Sequence, residues 1–344
     1  TTLQREANRY YGFTAQQTLE LVQSLYEKKL LTYPRTDSQF LTEDMEGTAR
    51  QVISIVCRKL PLFIGLSHEP DIQRVINNAK VTDHHAIIPT VQLDTQDIGE
   101  LPQSEQKILS LIGMRLLAAT GEKHLYDETR ITVLCEGYEF KAKGKTVVQD
   151  GWKAIEMRFR ASLDGKEKDE PEQVLPDLRE GTVLESVTSS VTEHFTSPPK
   201  AFTEDTLLSA METAGNEGFD EDTEKKGLGT PATRAGIIEK LVKGGFVERK
   251  GKSLVSTKDG NNLVCILPEQ IASPSMTAQW ENTLMQIERG QAEADVFLAD
   301  ITKMTVEMVN AYPFLSEAEA NRFDSGRECI GKCPRCGSPV YVGK

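Results

Sequence analysis

A tyrosine, an arginine and a short polar run lie next to one another early in the chain. Tyr33, Pro34 and Arg35 are followed directly by Thr-Asp-Ser at 36–38. A phenol can attack a phosphodiester as a nucleophile, and a neighbouring guanidinium can neutralise the phosphate under attack. Because proline disfavours a helix at the residue before it, we expect a helix to stop at Pro34 and to present Tyr33 at its end.

The same residues also have a purely structural interpretation. A tyrosine at a helix end commonly packs its ring and hydrogen-bonds its hydroxyl. A Thr-Asp-Ser run is common in caps and turns, where its side chains bond to nearby backbone groups. The residue types at 33–38 by themselves leave both interpretations open.

Two adjacent histidines, His84 and His85, form a second candidate site, which is followed by an apolar run and Pro89. One imidazole could assist proton transfer at a reacting phosphate. The alternatives are a core histidine with a satisfied hydrogen bond and a metal ligand. Since neighbouring side chains point to opposite sides of an extended chain, we do not expect both rings to bind one metal ion.

A glycine-rich turn at 227–235 is the third candidate site. Its sequence, Gly-Leu-Gly-Thr-Pro-Ala-Thr-Arg-Ala, predicts a helix N-terminus whose amides could hold a phosphate beside Thr233 and Arg234. Such a turn is more often only a helix cap. The Lys-Ser/Thr pair of a nucleotide-binding P-loop does not follow it.

Charge is distributed unevenly along this chain of 344 residues, whose net charge is −12. Residues 164–180 carry seven acids and three bases, whereas residues 227–258 carry seven bases and two acids. The basic residues belong to a compact helix-hairpin segment, so nucleic-acid contact is expected there rather than in the acidic loops. No apolar run approaches membrane-spanning length, so the sequence does not predict a membrane protein.

The six cysteines do not form a disulfide framework, which indicates a reducing, cytoplasmic location. Three of them lie in apolar contexts and are predicted to be buried free thiols: Cys57, Cys135 and Cys265. Near the end of the chain, Cys333 and Cys336 have the spacing of half a zinc knuckle, with Cys329 nearby. A ribbon needs a second pair, so Zn²⁺ is expected only if further cysteines are supplied, and the tail is predicted to be disordered.

Predicted helices must position the first two candidate sites. A short helix at 1–13 ends at Gly12, and residues 14–17 form a capping box that opens the helix leading to Tyr33. Two further helices are predicted from the spacing of their apolar residues: 42–59 and 104–119.

The apolar period then changes to two, which predicts strands. The segments 130–135 and 138–143 should pair across Glu136-Gly137. Four more segments have the same alternation: 146–148, 152–155, 182–187 and 190–195. A proline-rich boundary at 197–200 precedes a capped helix at 202–208. Three later segments together predict a winged helix: a helix at 235–243 and strands at 246–249 and 254–257.

The three candidate sites together resemble the motifs of type IA DNA topoisomerases. Residues 33–38 are similar to the Tyr-x-Arg-Thr-Asp-Ser motif around the catalytic tyrosine, and the Tyr-Pro-Arg version resembles the topoisomerase III branch. Residues 84–90 resemble His-(Glu/His)-Ala-Ile-x-Pro-(Ser/Thr). Residues 227–235 resemble a Gly-(Leu/Ile)-Gly-x-Pro-(Ser/Ala)-Thr-x-Ala motif of the single-strand-binding domain. The motifs occur in the family's order, and assignment to topoisomerase I remains open.

The resemblance implies an α+β multidomain fold that forms part of the type IA toroid. We expect a helical domain with the catalytic tyrosine at 1–125 and a β-rich arch domain at 126–197. A helical, winged-helix-like domain should follow at 198–320, and a truncated zinc-ribbon tail at 321–344. The acidic run 216–226 falls where topoisomerase III enzymes carry a decatenation loop, but here it is short and acidic.

The resemblance also implies a reaction. Tyr33 would attack single-stranded DNA and form a 5′-phosphotyrosine, a second strand would pass, and religation would need no ATP. Arg35 would stabilise charge on the phosphate, and His84 would contact it or assist proton movement. Thr233 matches a family position that contacts phosphate, whereas Thr230 stands where topoisomerase I often has a basic residue. The other candidates for DNA contact are Arg234, Gln4 and Arg5.

Family members begin with a Toprim domain that binds Mg²⁺ through an acidic cluster, and no part of this sequence resembles it. We therefore expect this chain, as a monomer, to bind single-stranded DNA without full activity unless that domain is supplied. A non-catalytic single-strand-binding module is the alternative. A tyrosine recombinase fits poorly because it needs several Arg and His residues upstream of its tyrosine, and only 32 residues precede Tyr33.

Overall fold

The computed structural model describes residues 1–163, 174–185, 187–214, 227–311, 316, 322–323 and 329–341. The chain divides into two compact units, Thr1–Lys200 and Ala201–Lys344. No helix among the described residues is long and apolar enough to span a membrane.

The first unit is a helical bundle with a long β-hairpin. Its helices are α1 (Thr2–Tyr11), α2 (Ala15–Glu27), α3 (Glu46–Lys59), α4 (Gln103–Thr120) and α5 (Trp152–Ala161). Its strands are β1 (Leu125–Cys135) and β2 (Tyr138–Gln149). Short 3-10 turns occupy much of the chain between α3 and α4. The core is apolar, and α4 lies at its centre with Leu109, Leu111 and Leu117 fully buried.

The caps of α1 and α2 confirm the sequence prediction. Gly12 follows α1 with a φ of 71°, a left-handed conformation that glycine adopts without strain. Thr14 accepts a hydrogen bond from the Gln17 backbone, and the Gln17 side chain accepts one from the Thr14 backbone. This reciprocal capping box determines where α2 begins.

The predicted end of α2 is wrong. The helix ends at Glu27, well before Pro34. Lys29 takes a φ of 61°, and the Leu30 backbone N–H donates to the Leu25 carbonyl at 2.9 Å. This αL residue turns the chain out of the helix, so Tyr33 lies in a loop and Pro34 does not stop a helix.

The β1–β2 hairpin confirms the predicted pairing. The strands are antiparallel, with Cys135 opposite Tyr138. Glu136 and Gly137 have φ values of 48° and 83°, the positive values that a tight two-residue hairpin turn requires at both positions.

Three of the other strand predictions are wrong. Segment 152–155 is part of α5, whose Ile155 and Phe159 bury themselves in the helical core at helical spacing. Segments 182–187 and 190–195 contain no strand among their described residues; Ser186 lies outside them. Val191 is 99% exposed. An alternating apolar pattern forms a stable strand only where a partner strand is available to pair with it.

The second unit begins with a small helix-and-sheet arrangement. Its elements are β3 (Phe202–Thr203), α6 (Glu204–Thr213), α7 (Arg234–Lys243), β4 (Val247–Lys250) and β5 (Ser253–Ser256). The strands form an antiparallel sheet in the order β3-β5-β4. Arg249 joins this sheet to both helices, since its guanidinium pairs with Glu204 of α6 and Glu239 of α7. The predicted helix-hairpin at 235–257 is confirmed.

The rest of the second unit is helical and ends in a short hairpin. The helices are α8 (Lys258–Ile266), α9 (Glu269–Ala272), α10 (Pro274–Glu288) and α11 (Ala294–Ala311). Strands β6 (Cys329–Lys332) and β7 (Pro339–Tyr341) pair antiparallel. The prediction of a disordered tail is therefore wrong for these residues. The predicted acidic loop 216–226 lies outside the described residues.

Two of the three thiols predicted to be buried are exposed, namely Cys135 and Cys265. Cys135 closes the β1–β2 hairpin, where the ribbon has solvent on both sides. Cys57 is half-buried, and burial raises the pKa of its thiol.

Candidate active site

Tyr33 lies in a small aromatic group at the surface of the first unit. Its ring centroid is 4.4 Å from that of His84, and the two planes are inclined at 46°. Tyr26, on the last turn of α2, approaches the Tyr33 ring at 5.5 Å in an edge-to-face geometry. Tyr33 is 36% exposed. Its hydroxyl makes no hydrogen bond within the described residues, so a ligand can reach it.

Backbone pairing brings the loops of Tyr33 and His84 together. Leu31 and Pro89 form an antiparallel bridge, and the Thr32 N–H donates to the Ile88 carbonyl at 3.0 Å. The Thr32 hydroxyl accepts the Ile88 N–H at 3.0 Å. Leu31 and Ile88 are buried in the helical core, so the position of the site depends on core packing.

The Thr-Asp-Ser run connects the two loops. The Thr36 hydroxyl donates to the His84 carbonyl at 2.7 Å and accepts the Ser38 N–H at 3.1 Å. The Ser38 hydroxyl donates to the Lys80 carbonyl at 2.8 Å. Thr36 and Ser38 therefore act as a structural clasp, and their own hydroxyls are used within the protein.

Arg35 has a different environment from its neighbours. Pro34 is buried, whereas Arg35 is exposed on the same loop as Tyr33. Across the part of the chain that the structure describes, no carboxylate pairs with Arg35 and no hydrogen bond engages it. A guanidinium without an internal anion is available to an external one, and it can bind two phosphate oxygens at once.

The two histidines lie in different environments. His84 is exposed and lies against Tyr33, whereas His85 is half-buried and its Nδ1 lies 2.8 Å from the Ala86 carbonyl oxygen. No group of three or more His, Cys, Asp or Glu side chains that could hold a metal ion occurs within the described ranges.

Gln4 and Arg5 lie on α1, where Gln4 is only 3% exposed and Arg5 is half-buried. The Gln39 amide donates to the Thr2 hydroxyl at 3.3 Å, which brings the start of α1 beside the loop after Tyr33. Gln4 is thus in the interior of the bundle in this conformation, and Arg5 is the better placed of the pair for a ligand.

In the second unit, Thr230 and Thr233 lie in the turn before α7. The Thr230 N–H donates to the Thr233 hydroxyl oxygen at 2.8 Å, and the two hydroxyls are 3.1 Å apart. Both residues are exposed at the N-terminus of the helix, where backbone amides favour an anion.

Arg234 points into this turn. It is 3% exposed, and its guanidinium donates to the carbonyls of Leu228 at 3.0 Å and Gly229 at 3.1 Å. Burial lowers its pKa, and the ion pair with Glu212 opposes that shift. These contacts make Arg234 a support of the turn, and a direct contact with DNA stays a prediction.

The cysteine pair lies in the turn between β6 and β7. The Cys333 N–H donates to the Ser338 carbonyl at 2.7 Å, and the Gly337 N–H donates to the Cys333 carbonyl at 2.8 Å. Hydrogen bonds from Ser338, and then from Cys333, lower the pKa of the Cys336 thiol. This is the shape of half a knuckle, with two thiols on one turn.

Tyr26 is the residue of this site that the sequence did not identify. Its spacing placed it among the apolar positions of α2, and nothing in its type distinguishes it from a packing residue. Its role depends on the left-handed turn at Lys29, which returns the chain so that Tyr33 faces the last turn of the helix.

Comparison with known proteins gives a consistent result. Residues 1–299 match the model of a family described as DNA topoisomerase. The chain is 37% identical to DNA topoisomerase 3 of Bacillus subtilis over 98% of its length and 47% of that protein. It is 35% identical to DNA topoisomerase 3 of Bacillus licheniformis over the same shares of the two chains. The chain therefore spans about half the length of these curated relatives.

One solved structure shares the fold. Topoisomerase I from Thermotoga maritima aligns with a TM-score of 0.64 at 24% identity, covering all of this chain and 53% of that one. This likeness confirms the predicted α+β fold of the type IA enzymes.

Proposed function

This chain belongs to the DNA topoisomerase family, and from that premise we propose that it carries the nucleophile for transient cleavage of one DNA strand. The tyrosine is Tyr33. The observation that carries the proposal is its exposed ring, packed against His84 with the hydroxyl unused in the described part of the molecule. An exposed hydroxyl that no group of the described residues engages is open to an external phosphate.

The proposed step is a transesterification. The Tyr33 oxygen forms a bond to phosphorus while the bond from phosphorus to the 3′ oxygen breaks. The phenol loses its proton, and the 3′ oxygen leaves as a hydroxyl after gaining one. The products are a 5′-phosphotyrosine and a free 3′-hydroxyl, and because the new ester replaces an old one, the reverse step needs no ATP.

Arg35 and His84 support this step in different ways. The Arg35 guanidinium neutralises charge on the phosphate as it becomes pentacoordinate. The centroid of the His84 ring is 4.4 Å from that of the Tyr33 ring. The imidazole contacts the phosphate or transfers a proton to or from the phosphate oxygens. Arg35 and His84 both lie on the surface formed by the two paired loops. A single DNA strand therefore has to contact the first unit only on this side.

The substrate we propose is single-stranded DNA. The second unit offers the Thr230–Thr233 turn and the basic segment 227–258. Contacts of this kind to DNA phosphates do not discriminate between base sequences. In this proposal the protein has the four domains predicted from the sequence. The domain at 1–125 contains both the Tyr33 and the His84 motif and is the catalytic part.

The proposal also includes two metal ions, Mg²⁺ and Zn²⁺. Because the chain belongs to the DNA topoisomerase family and its motifs resemble those of type IA enzymes, we propose that the Mg²⁺ ligands come from a Toprim domain supplied in addition to the described residues. Cys333 and Cys336 would hold Zn²⁺ together with two further cysteines. We also propose that the protein works as a monomer in the cytoplasm.

The test is a covalent adduct on a 3′-labelled single-stranded oligonucleotide. This chain is mixed with Mg²⁺ and a separately produced Toprim domain of a type IA topoisomerase. The label should become attached to the chain, and Tyr33→Phe, which removes only the hydroxyl, should abolish the attachment. The chain without the added domain should bind the oligonucleotide and form few adducts.

Two results would contradict the proposal. An adduct that persists in Tyr33→Phe would place the nucleophile elsewhere. Tight binding of the oligonucleotide with no adduct in the complemented mixture would favour a non-catalytic single-strand-binding module, for which the exposed lysines of the α7–β5 segment are the supporting feature.

A further inference from the structure

Tyr26 and Tyr33 form a ring pair that joins a rigid helix to a loop. Their centroids are 5.5 Å apart and their planes are inclined at 81°, which is an edge-to-face contact. Tyr26 belongs to α2 and Tyr33 to the loop that follows it. The side chain on the helix therefore provides a fixed surface against which the side chain on the loop rests.

Tyr33 has few other restraints. No hydrogen bond to its hydroxyl exists in the described part of the molecule, so the direction of the phenol depends on ring contacts alone. The other ring in contact is His84, which is itself exposed on a loop. Of the two neighbours, only Tyr26 is part of a helix.

The last turn of α2 is held firmly. The Lys29 N–H donates to the Tyr26 carbonyl at 2.8 Å, and Leu25 beside it is fully buried. The Lys28 ammonium lies 2.5 Å from the buried carboxylate of Glu105 on α4, which also accepts from Ser24 at 2.8 Å. These contacts tie the helix end to the centre of the bundle.

We infer that Tyr26 is a positioning residue for the Tyr33 nucleophile. It does not touch the reacting atoms. It limits the rotation of the Tyr33 ring, so that the phenol oxygen is directed at the phosphate before DNA binds. The inference rests on the proposed function for its catalytic consequence, but the restraint itself can be measured without any reaction.

The contact of the Tyr26 ring with the Tyr33 ring, on which the restraint depends, is tested by NMR of the chain with ring-labelled tyrosine. Tyr33→Phe identifies the Tyr33 signals among those of the eight tyrosines. Tyr26→Ala should shift these signals, because a neighbouring ring perturbs them strongly, whereas Tyr26→Phe keeps the ring and should leave them nearly in place. Tyr138→Ala, at the exposed end of the β1–β2 hairpin, is the matched control and should not move them.

The consequence is tested by the rate of adduct formation in the complemented mixture at saturating oligonucleotide. We expect Tyr26→Ala to be about tenfold slower, since loss of orientation lowers the fraction of productive encounters. Tyr26→Phe should stay within about twofold of the wild type, and the dissociation constant for DNA should be unchanged in both. If Tyr26→Ala does not fold, Tyr26→Leu fills the same space without a ring and replaces it.

The outcomes separate this inference from the proposed function. Unshifted Tyr33 signals in Tyr26→Ala, or a full adduct rate in that variant, overturn the positioning role while Tyr33 stays the nucleophile. Weakened DNA binding in Tyr26→Ala also overturns it, since Tyr26 would then be a DNA contact. If the signals shift but the wild type forms no adduct, the proposed function fails and the contact between the Tyr26 and Tyr33 rings stands.

Discussion

The Thr36 hydroxyl donates a hydrogen bond of 2.7 Å to the carbonyl of His84, which ties the two loops of the site together at the residue that contacts Tyr33. Because the bond is to the backbone of His84, the imidazole itself stays free to act. The arrangement separates the residue that holds the loop, Thr36, from the side chain proposed to act on the phosphate, His84.

The two adjacent histidines should differ sharply in their effect on cleavage. His84→Ala removes the ring against Tyr33, and we expect the rate of adduct formation to fall by about a hundredfold, the scale of a lost acid-base or phosphate contact. His85→Ala, the matched control, removes a half-buried ring whose Nδ1 lies 2.8 Å from the Ala86 carbonyl oxygen, and the rate should change by no more than about threefold. Equal losses in both variants would contradict the assignment.

Arg35 should be needed for its charge. Arg35→Ala is expected to slow adduct formation by about a hundredfold, because it removes the guanidinium two residues from Tyr33 that neutralises the phosphate. Arg35→Lys should recover part of the rate, since an ammonium keeps the charge but not the paired geometry of a guanidinium. Arg50→Ala is the control, because its guanidinium already pairs with Glu46 on α3. A rate that is unchanged in Arg35→Ala would exclude Arg35 from the reaction.

Arg234 should contribute more to the free energy of unfolding than to the affinity for single-stranded DNA. Arg234→Ala leaves two carbonyls in the turn without their donor, and we expect a loss of about 2 kcal/mol in the free energy of unfolding, measured with urea. Lys240→Ala, on the exposed side of the same helix, should cost about 0.5 kcal/mol or less. Affinity of the folded Arg234→Ala variant for single-stranded DNA should fall less than about threefold; a tenfold loss without destabilisation would indicate direct contact.

His68 should make stability depend on pH. Burial lowers its pKa below the ordinary value of 6.5, and its Nε2 lies 3.1 Å from the buried Thr120 hydroxyl. In the unfolded chain it takes up a proton near pH 6.5, while the folded protein resists protonation until a lower pH. Its stabilising effect is therefore complete above about pH 7.5 and is lost as the pH falls through 6.5 towards the folded pKa.

The comparison for this prediction is His68→Gln, which cannot titrate. Urea unfolding between about pH 8 and 5 should show the wild type losing stability relative to this variant as the pH falls. His194→Gln should follow the wild type, because His194 is exposed. Parallel curves for the wild type and His68→Gln would contradict the prediction.

The sequence by itself determined the features that depend on neighbours along the chain. The capping box at Thr14 and the hairpin turn at Glu136-Gly137 follow from local backbone chemistry, and both were predicted correctly. The order of residues around Tyr33, His84 and Thr233 was enough to indicate the family, because a reactive motif keeps its residue types at fixed spacing.

Tertiary structure alone decided which side chains face one another. The pattern at 152–155 suited a strand, but burial of Ile155 and Phe159 against the bundle makes it a helix. Arg234 turned inward because the carbonyls of Leu228 and Gly229 accept its hydrogens, and Tyr26 meets Tyr33 because Lys29 takes a left-handed turn. Local patterns predict elements, whereas these contacts depend on turns and packing that only the folded molecule establishes.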